Sequence, residues 1–93
     1  MNEALISLIL SEVKGECNIP SSSTDSDAML SSYIREGVQL LTNLESLIDF
    51  ENDHLALALV KIYVQYRRNQ QMNLFQERYA EEIIALQIRY IRA

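Results

Sequence analysis

The chain lacks the turn chemistry of β-structure, and this feature constrains its fold more than any other. Its 93 residues include two glycines and one proline, and neither an Asn-Gly nor an Asp-Gly pair occurs. Such pairs form the tight turns that join antiparallel strands. The apolar residues instead recur at every third or fourth position, which places them on one face of an α-helix. We therefore predict an all-α fold.

Four amphipathic segments predict four helices, over residues 3–16, 25–48, 53–68 and 72–91. The third segment is apolar around nearly its whole circumference, which indicates the central helix of a small four-helix bundle. Because neither glycine nor proline interrupts residues 54–92, a single bent helix in place of the last two remains an alternative.

The second segment has the clearest amphipathic pattern. Its apolar stripe consists of Leu30, Ile34, Gly37, Leu41, Leu44 and Ile48. A glycine in a helix interior costs about 1 kcal/mol relative to alanine. The position of Gly37 on the stripe therefore indicates that another helix crosses closely there.

The length of the chain predicts one helical domain over residues 1–93, with a thin core. A chain of this size buries only about 60 to 65% of the surface that its unfolded form exposes. Burial against a neighbouring subunit adds to that core, so we expect an oligomer.

The last helix carries two apolar rows, about 120° apart around the helix axis. The first row, Met72, Phe75, Tyr79, Ile83 and Leu86, is predicted to face the core of the subunit. The second row continues from Ala80 through Ile84, Ile88 and Ile91. We expect this second row to face a partner, because a single bundle core covers only one face of the helix.

The formal net charge of −5 is divided unevenly along the chain. Residues 1–53 carry a net charge of −8, and residues 54–93 carry +3. Arg67 projects onto the apolar side of its helix, so it either extends along the core to reach solvent or pairs with an acid of a neighbouring chain. The candidate acids are Asp49, Glu51 and Asp53.

No residue pattern in the chain is typical of an enzyme or a metal site. The single cysteine, Cys17, and the single histidine, His54, are too few for a zinc site, and no nucleophile, carboxylate pair or phosphate loop stands at catalytic spacing. We expect no catalytic residue and no cofactor. The longest apolar run is shorter than the roughly 20 residues of a membrane span, and the first residues do not resemble a signal peptide. We expect no membrane contact.

Several segments of the chain match one known family in order and length. They are Asn18-Ile19-Pro20 after the first helix, the Ser/Asp-rich loop 21–27, the apolar segment 54–66, Arg67-Arg68-Asn69, and the terminal segment 79–90. The short first helix and the long amphipathic helix also match in order, so the resemblance covers essentially the whole chain. In this pattern the chain resembles the small head-tail connector proteins of tailed phages, also called head-completion or portal-adaptor proteins.

The resemblance implies a structural protein of the virion neck, assembled in the host cytoplasm. Identical subunits form a ring beneath the portal protein, extend the DNA channel and attach to a stopper or tail-joining protein, and the genome passes through without specific binding. Ile84, Ile88 and Ile91 then face a neighbouring subunit or the portal. The alternative is a small helical regulatory or nucleic-acid-binding protein, which requires a basic recognition helix.

Overall fold

The computed structural model describes residues 3–20, 22–42 and 48–91. The described part of the chain contains no β-strand and includes four helices. They are α1 (Glu3–Glu16), α2 (Asp27–Leu41), α3 (His54–Arg68) and α4 (Met72–Ile91). The all-α prediction is confirmed, and the bounds of α1, α3 and α4 agree with the sequence pattern to within one residue.

The predicted bounds of the second helix are wrong at both ends. The helix begins at Asp27 rather than at residue 25, with Ser26 as its N-cap. At the other end, Thr42 adopts an extended backbone (φ −81°, ψ 99°), and Ile48 is not helical. The helix therefore ends at Leu41 instead of residue 48. Leu44, the other member of the predicted stripe in this region, lies outside the described residues.

Two helices end at a residue in the left-handed region of backbone conformation. Asn18 (φ 59°) follows α1, and Gln70 (φ 57°) follows α3. After α3, the backbone N–H of Gln71 donates to the carbonyl of Tyr66 at 2.9 Å, a bond that closes the last helical turn. This turn separates α3 from α4, which excludes the single bent helix.

One hydrophobic cluster unites the four helices. Helix α3 packs against each of the other three, as predicted for the central helix. The side chains that are almost fully buried come from every helix and are Ile9, Val13, Leu30, Ile34, Leu41, Leu59, Val60, Val64, Phe75 and Leu86. The core therefore lies around α3 and leaves the outer faces of α1, α2 and α4 in solvent.

The predicted close approach at Gly37 is confirmed. A Cβ atom built on Gly37 would lie 2.9 Å from Cδ1 of Tyr63 on α3 and 3.1 Å from its Cγ. Ordinary van der Waals contact begins at a larger separation, so any larger residue would displace the Tyr63 ring. Gly37 thus sets how closely α2 and α3 pack.

Candidate functional site

The two rows of α4 lie in different environments, and the first row faces the core as predicted. Phe75 and Leu86 are fully buried, and Met72, Tyr79 and Ile83 are half-buried against the core. In contrast, Ile84 is 55% exposed and Ile88 is 43% exposed. We call Ala80, Ile84 and Ile88 the outer row. The side chain of Ile91, which the sequence also assigned to this row, lies outside the described residues.

A shallow apolar groove runs along one edge of the outer row. It has a volume of about 260 Å³ and lies between Leu40 of α2 and the α4 residues Gln76, Ala80, Ile83, Ile84 and Gln87. Leu40 itself is 40% exposed. The amide nitrogen of Gln87 donates to the carbonyl of Leu41 at 3.1 Å, so it fixes α4 to the end of α2 beneath this groove.

An aromatic cluster fixes the inner face of α4 on α3. The Phe75 ring lies edge-on to Tyr63, with 5.4 Å between ring centroids, and 5.9 Å from the Tyr66 centroid. Tyr79 packs on Phe75 at 5.5 Å. Each such contact adds about 0.5 to 1.5 kcal/mol to the effect of burial. Burial raises the pKa of Tyr63, and the Glu36 charge adds to the rise. These rings therefore hold α4 in a fixed rotation about its axis.

Asp53 joins the beginning of α3 to the end of α4. Its Oδ1 accepts hydrogen bonds from the backbone N–H groups of Leu55 (3.0 Å) and Ala56 (3.1 Å), so it caps α3 as an acidic N-cap residue does. Its Oδ2 accepts the Tyr90 hydroxyl at 2.7 Å and pairs with the Arg89 guanidinium. The Asp53 side chain is only 12% exposed. We call this contact the Asp53 latch.

The charge of Asp53 is stabilised in the folded chain. Burial raises the pKa of the Asp53 carboxyl, but the hydrogen bonds from Tyr90 and from the Ala56 backbone, with the Arg89 charge, outweigh it. The net result is a pKa below the ordinary value of 3.8. The pKa of Tyr90 is raised in turn, mainly because its hydroxyl donates to Asp53 and to a smaller extent because the hydroxyl is buried. At neutral pH both groups are therefore in the protonation state that the latch requires.

Arg67 finds its partners within its own chain. Its Nε lies 3.7 Å from Oε2 of Glu36, and its guanidinium carbon lies 4.6 Å from the centroid of the Tyr33 ring. Both partners belong to α2, and the Arg67 side chain is 39% exposed. This arrangement was not among the sequence-based alternatives, because nothing in the local pattern links Arg67 to a helix more than 25 residues earlier. Whether Arg67 also contacts a neighbouring chain stays a prediction.

The other two candidate acids lie in the loop before α3. Asp49 and Glu51 are both exposed. The carboxylate of Asp49 accepts hydrogen bonds from the backbone and side-chain nitrogens of Asn52, at 3.3 and 2.9 Å. Glu51 has no ion-pair partner among residues 3–20, 22–42 and 48–91. The loop therefore presents two carboxylates that are not neutralised by a cation in the described part of the chain.

Sequence reasoning missed two ion-pair clusters that hold α1 in place. Lys14 is buried, and its ammonium group donates to Oδ1 of Asp27 at 2.9 Å and to the Ser23 carbonyl. Lys61 pairs with Glu16 at 3.0 Å, and the hydrogen bond to that carboxylate raises the Lys61 pKa. The partners come from different helices or loops, so no local spacing could have indicated them.

The two residues most often found at reactive sites have no catalytic arrangement around them. His54 is exposed in the first turn of α3, and Cys17 is a free, half-buried thiol after α1. Within the described ranges, no three His, Cys, Asp or Glu side chains converge as metal ligands do. None of the described helices combines the length and apolarity that crossing a membrane requires.

Comparisons with known proteins identify no relative of this chain. No protein-family profile matches the chain, and no curated protein or solved structure is significantly similar to it. The functional interpretation therefore depends on the residue pattern and on the geometry described above.

Proposed function

We propose that this chain is a structural subunit of a tailed-phage head-tail connector. In this role identical copies form a ring beneath the portal, extend the DNA channel and join the head to a stopper or tail protein. This role requires neither catalysis nor a cofactor. It requires surfaces that bind the neighbouring subunits, the portal and the stopper or tail protein.

The observation that carries the proposal is the outer row of α4. Two large aliphatic side chains, Ile84 and Ile88, are exposed one helical turn apart on a helix whose other face is anchored in the core. Single exposed apolar side chains are common, but aligned ones beside an apolar groove are typical of surfaces that become buried in an assembly. The outer row and its groove therefore suit contact with a neighbouring subunit or the portal.

The charge of the chain also supports a conduit for DNA. A net charge of −5 repels phosphates, so genomic DNA slides past the ring rather than binding to its wall. The exposed polar face of α2 carries Arg35, which pairs with Glu3 at 2.8 Å. A cation neutralised in this way is a poor contact for a DNA phosphate.

The purified chain tests the proposal directly. Light scattering at low salt should give a mass of many subunits, and negative-stain images should show annuli. In an infected host, a phage that carries Ile88→Asp should package heads that leak DNA or fail to join tails. A chain that stays monomeric, or that shifts nonspecific duplex DNA at low salt, would instead favour the regulatory or nucleic-acid-binding alternative.

A further inference from the structure

The two ends of α3 carry charges of opposite sign that cannot neutralise each other. Asp49, Glu51 and Asp53 precede the helix, whereas Arg67 and Arg68 close it. A helix of 15 residues is about 22 Å long. The Debye length at physiological ionic strength is about 8 Å, so the two ends are screened from each other. The helix dipole places about half a positive charge at the acidic end and half a negative charge at the basic end, so it neutralises these side chains only in part.

Partners within the chain already occupy one charged group at each end. Asp53 is held by Arg89 and Tyr90, and Arg67 is held by Glu36. What remains at the start of α3 is the pair of exposed carboxylates in the preceding loop, Asp49 and Glu51. At the helix end, Arg68 is exposed and has no ion-pair partner in the described part of the chain. These groups are available to a second molecule.

The acidic end contains a depression of suitable chemistry for a cationic side chain. It has a volume of about 450 Å³ and is lined by Asp49, Asn52, Asp53, His54, Leu55, Arg89 and Tyr90. The Arg89 guanidinium is paired with Asp53, so Asp49 is the lining carboxylate that no cation neutralises in the described part of the chain. Leu55 is 36% exposed and supplies an apolar wall beside the carboxylate of Asp49. We call this depression, with Glu51 beside it in the loop, the acidic socket.

The basic end also combines a charge with an exposed apolar side chain. Gly37 lies against Tyr63 and Tyr33 lies against Arg67, so α2 and α3 run antiparallel. Met29 lies one helical turn before Tyr33 on α2, in the direction of the C-terminal end of α3. It is 41% exposed. Each end of α3 thus has one exposed apolar side chain and at least one charge without an ion-pair partner among the described residues.

We propose that the acidic socket of one copy receives Arg68 of a second copy, with Met29 packed against Leu55. The proposal rests on the self-assembly proposed above and adds a second contact between copies to that of the outer row. The charge complementarity of the two ends selects a second copy as the occupant. Because the two contact surfaces differ, the contact is heterologous and repeats from subunit to subunit, as a ring requires.

A charge-reversal cycle tests this contact in the full-length chain. The variants are Arg68→Glu, Glu51→Arg and the double variant, and Arg35→Glu is the control because it makes the same charge change on α2 outside both ends. Circular dichroism and thermal melting establish that each variant folds. Sedimentation at low salt then measures association.

Each single reversal should weaken association by about tenfold or more, because attraction becomes repulsion at a close charge pair. The double variant should associate more tightly than either single variant, and the control should associate as the wild-type chain does. Equal association of wild type and Arg68→Glu, or additive losses in the double variant, would overturn the contact while leaving the ring intact. A wild-type chain that never associates would overturn both this contact and the proposed function.

Discussion

The inner and outer faces of α4 have similar hydrophobicity but different surroundings. Phe75 and Leu86 on the inner face are fully buried, whereas Ile84 and Ile88 on the outer face are about half exposed. The difference arises because α4 packs against α3 with one face only, and the opposite face has no helix beside it in the described part of the chain. Apolar content alone therefore does not place a residue in the core. The outer face contributes little to the folding of one subunit and is available for assembly.

Truncation of one side chain on each face should give the largest difference in the free energy of unfolding. Phe75→Ala removes a ring that contacts Tyr63, Tyr66 and Tyr79 and should cost about 3 to 5 kcal/mol, which is much of the stability of so small a domain. Ile84→Ala is the matched control, and it should cost less than about 0.5 kcal/mol in the monomer. Urea unfolding measures both. Equal losses would show that the outer face belongs to the core.

The Asp53 latch should make an intermediate contribution to stability. Asp53→Ala removes an N-cap and both contacts to α4, so it should cost about 1 to 2 kcal/mol at pH 7. Asp53→Asn is the control, because asparagine caps a helix nearly as well but carries no charge. The Arg89 and Tyr90 contacts should therefore be weaker in Asp53→Asn than in the wild-type chain.

The latch also predicts a direction of pH dependence. Because the pKa of Asp53 is lower in the folded chain than in the unfolded one, its contribution is present above about pH 4 and is lost as the pH falls through the folded-state value. The stability difference between wild type and Asp53→Asn should shrink over that range. A difference that is constant from pH 7 to pH 2 would contradict the assigned ion pair.

The smallest expected effect lies in the turn that orients α4 against α3. Gln70 has a positive φ, which is costly for a residue with a side chain, so Gln70→Gly should raise stability by about 0.5 to 1 kcal/mol. Gln71→Gly is the control and should bring no gain, since Gln71 is not among the positive-φ residues. Thermal melting distinguishes the two variants. A gain for both, or for neither, would mean that this turn does not constrain the hairpin of α3 and α4.

Much of the fold could be predicted because it depends on local chemistry. The periodicity of apolar residues predicted the two rows of α4 and the bounds of α1, α3 and α4 to within one residue. The ends of α2 could not be predicted in the same way. Four residues able to cap a helix, 24–27, follow one another at its start, and the apolar period continues past Leu41 although the helix ends there.

The pairing of charges could not be predicted, because it depends on how the helices pack. Arg67 meets Glu36, and Asp53 meets Arg89, across more than 30 residues of sequence in each case. From the uneven charge we expected pairing between neighbouring chains, and that expectation stays a prediction. The uneven charge could not indicate which acids and bases find partners in the same subunit.

The most direct test of the account is the effect of Ile88→Asp on folding and mass in the same sample. Since Ile88 is exposed, the variant should melt as a helical monomer at nearly the temperature of the wild-type monomer, and light scattering should show that the large assembly is lost. Ala85→Asp places the same charge on another exposed part of α4 and should still assemble. Unfolding of Ile88→Asp, or its assembly at wild-type mass, would contradict the assignment of the outer row to an interface.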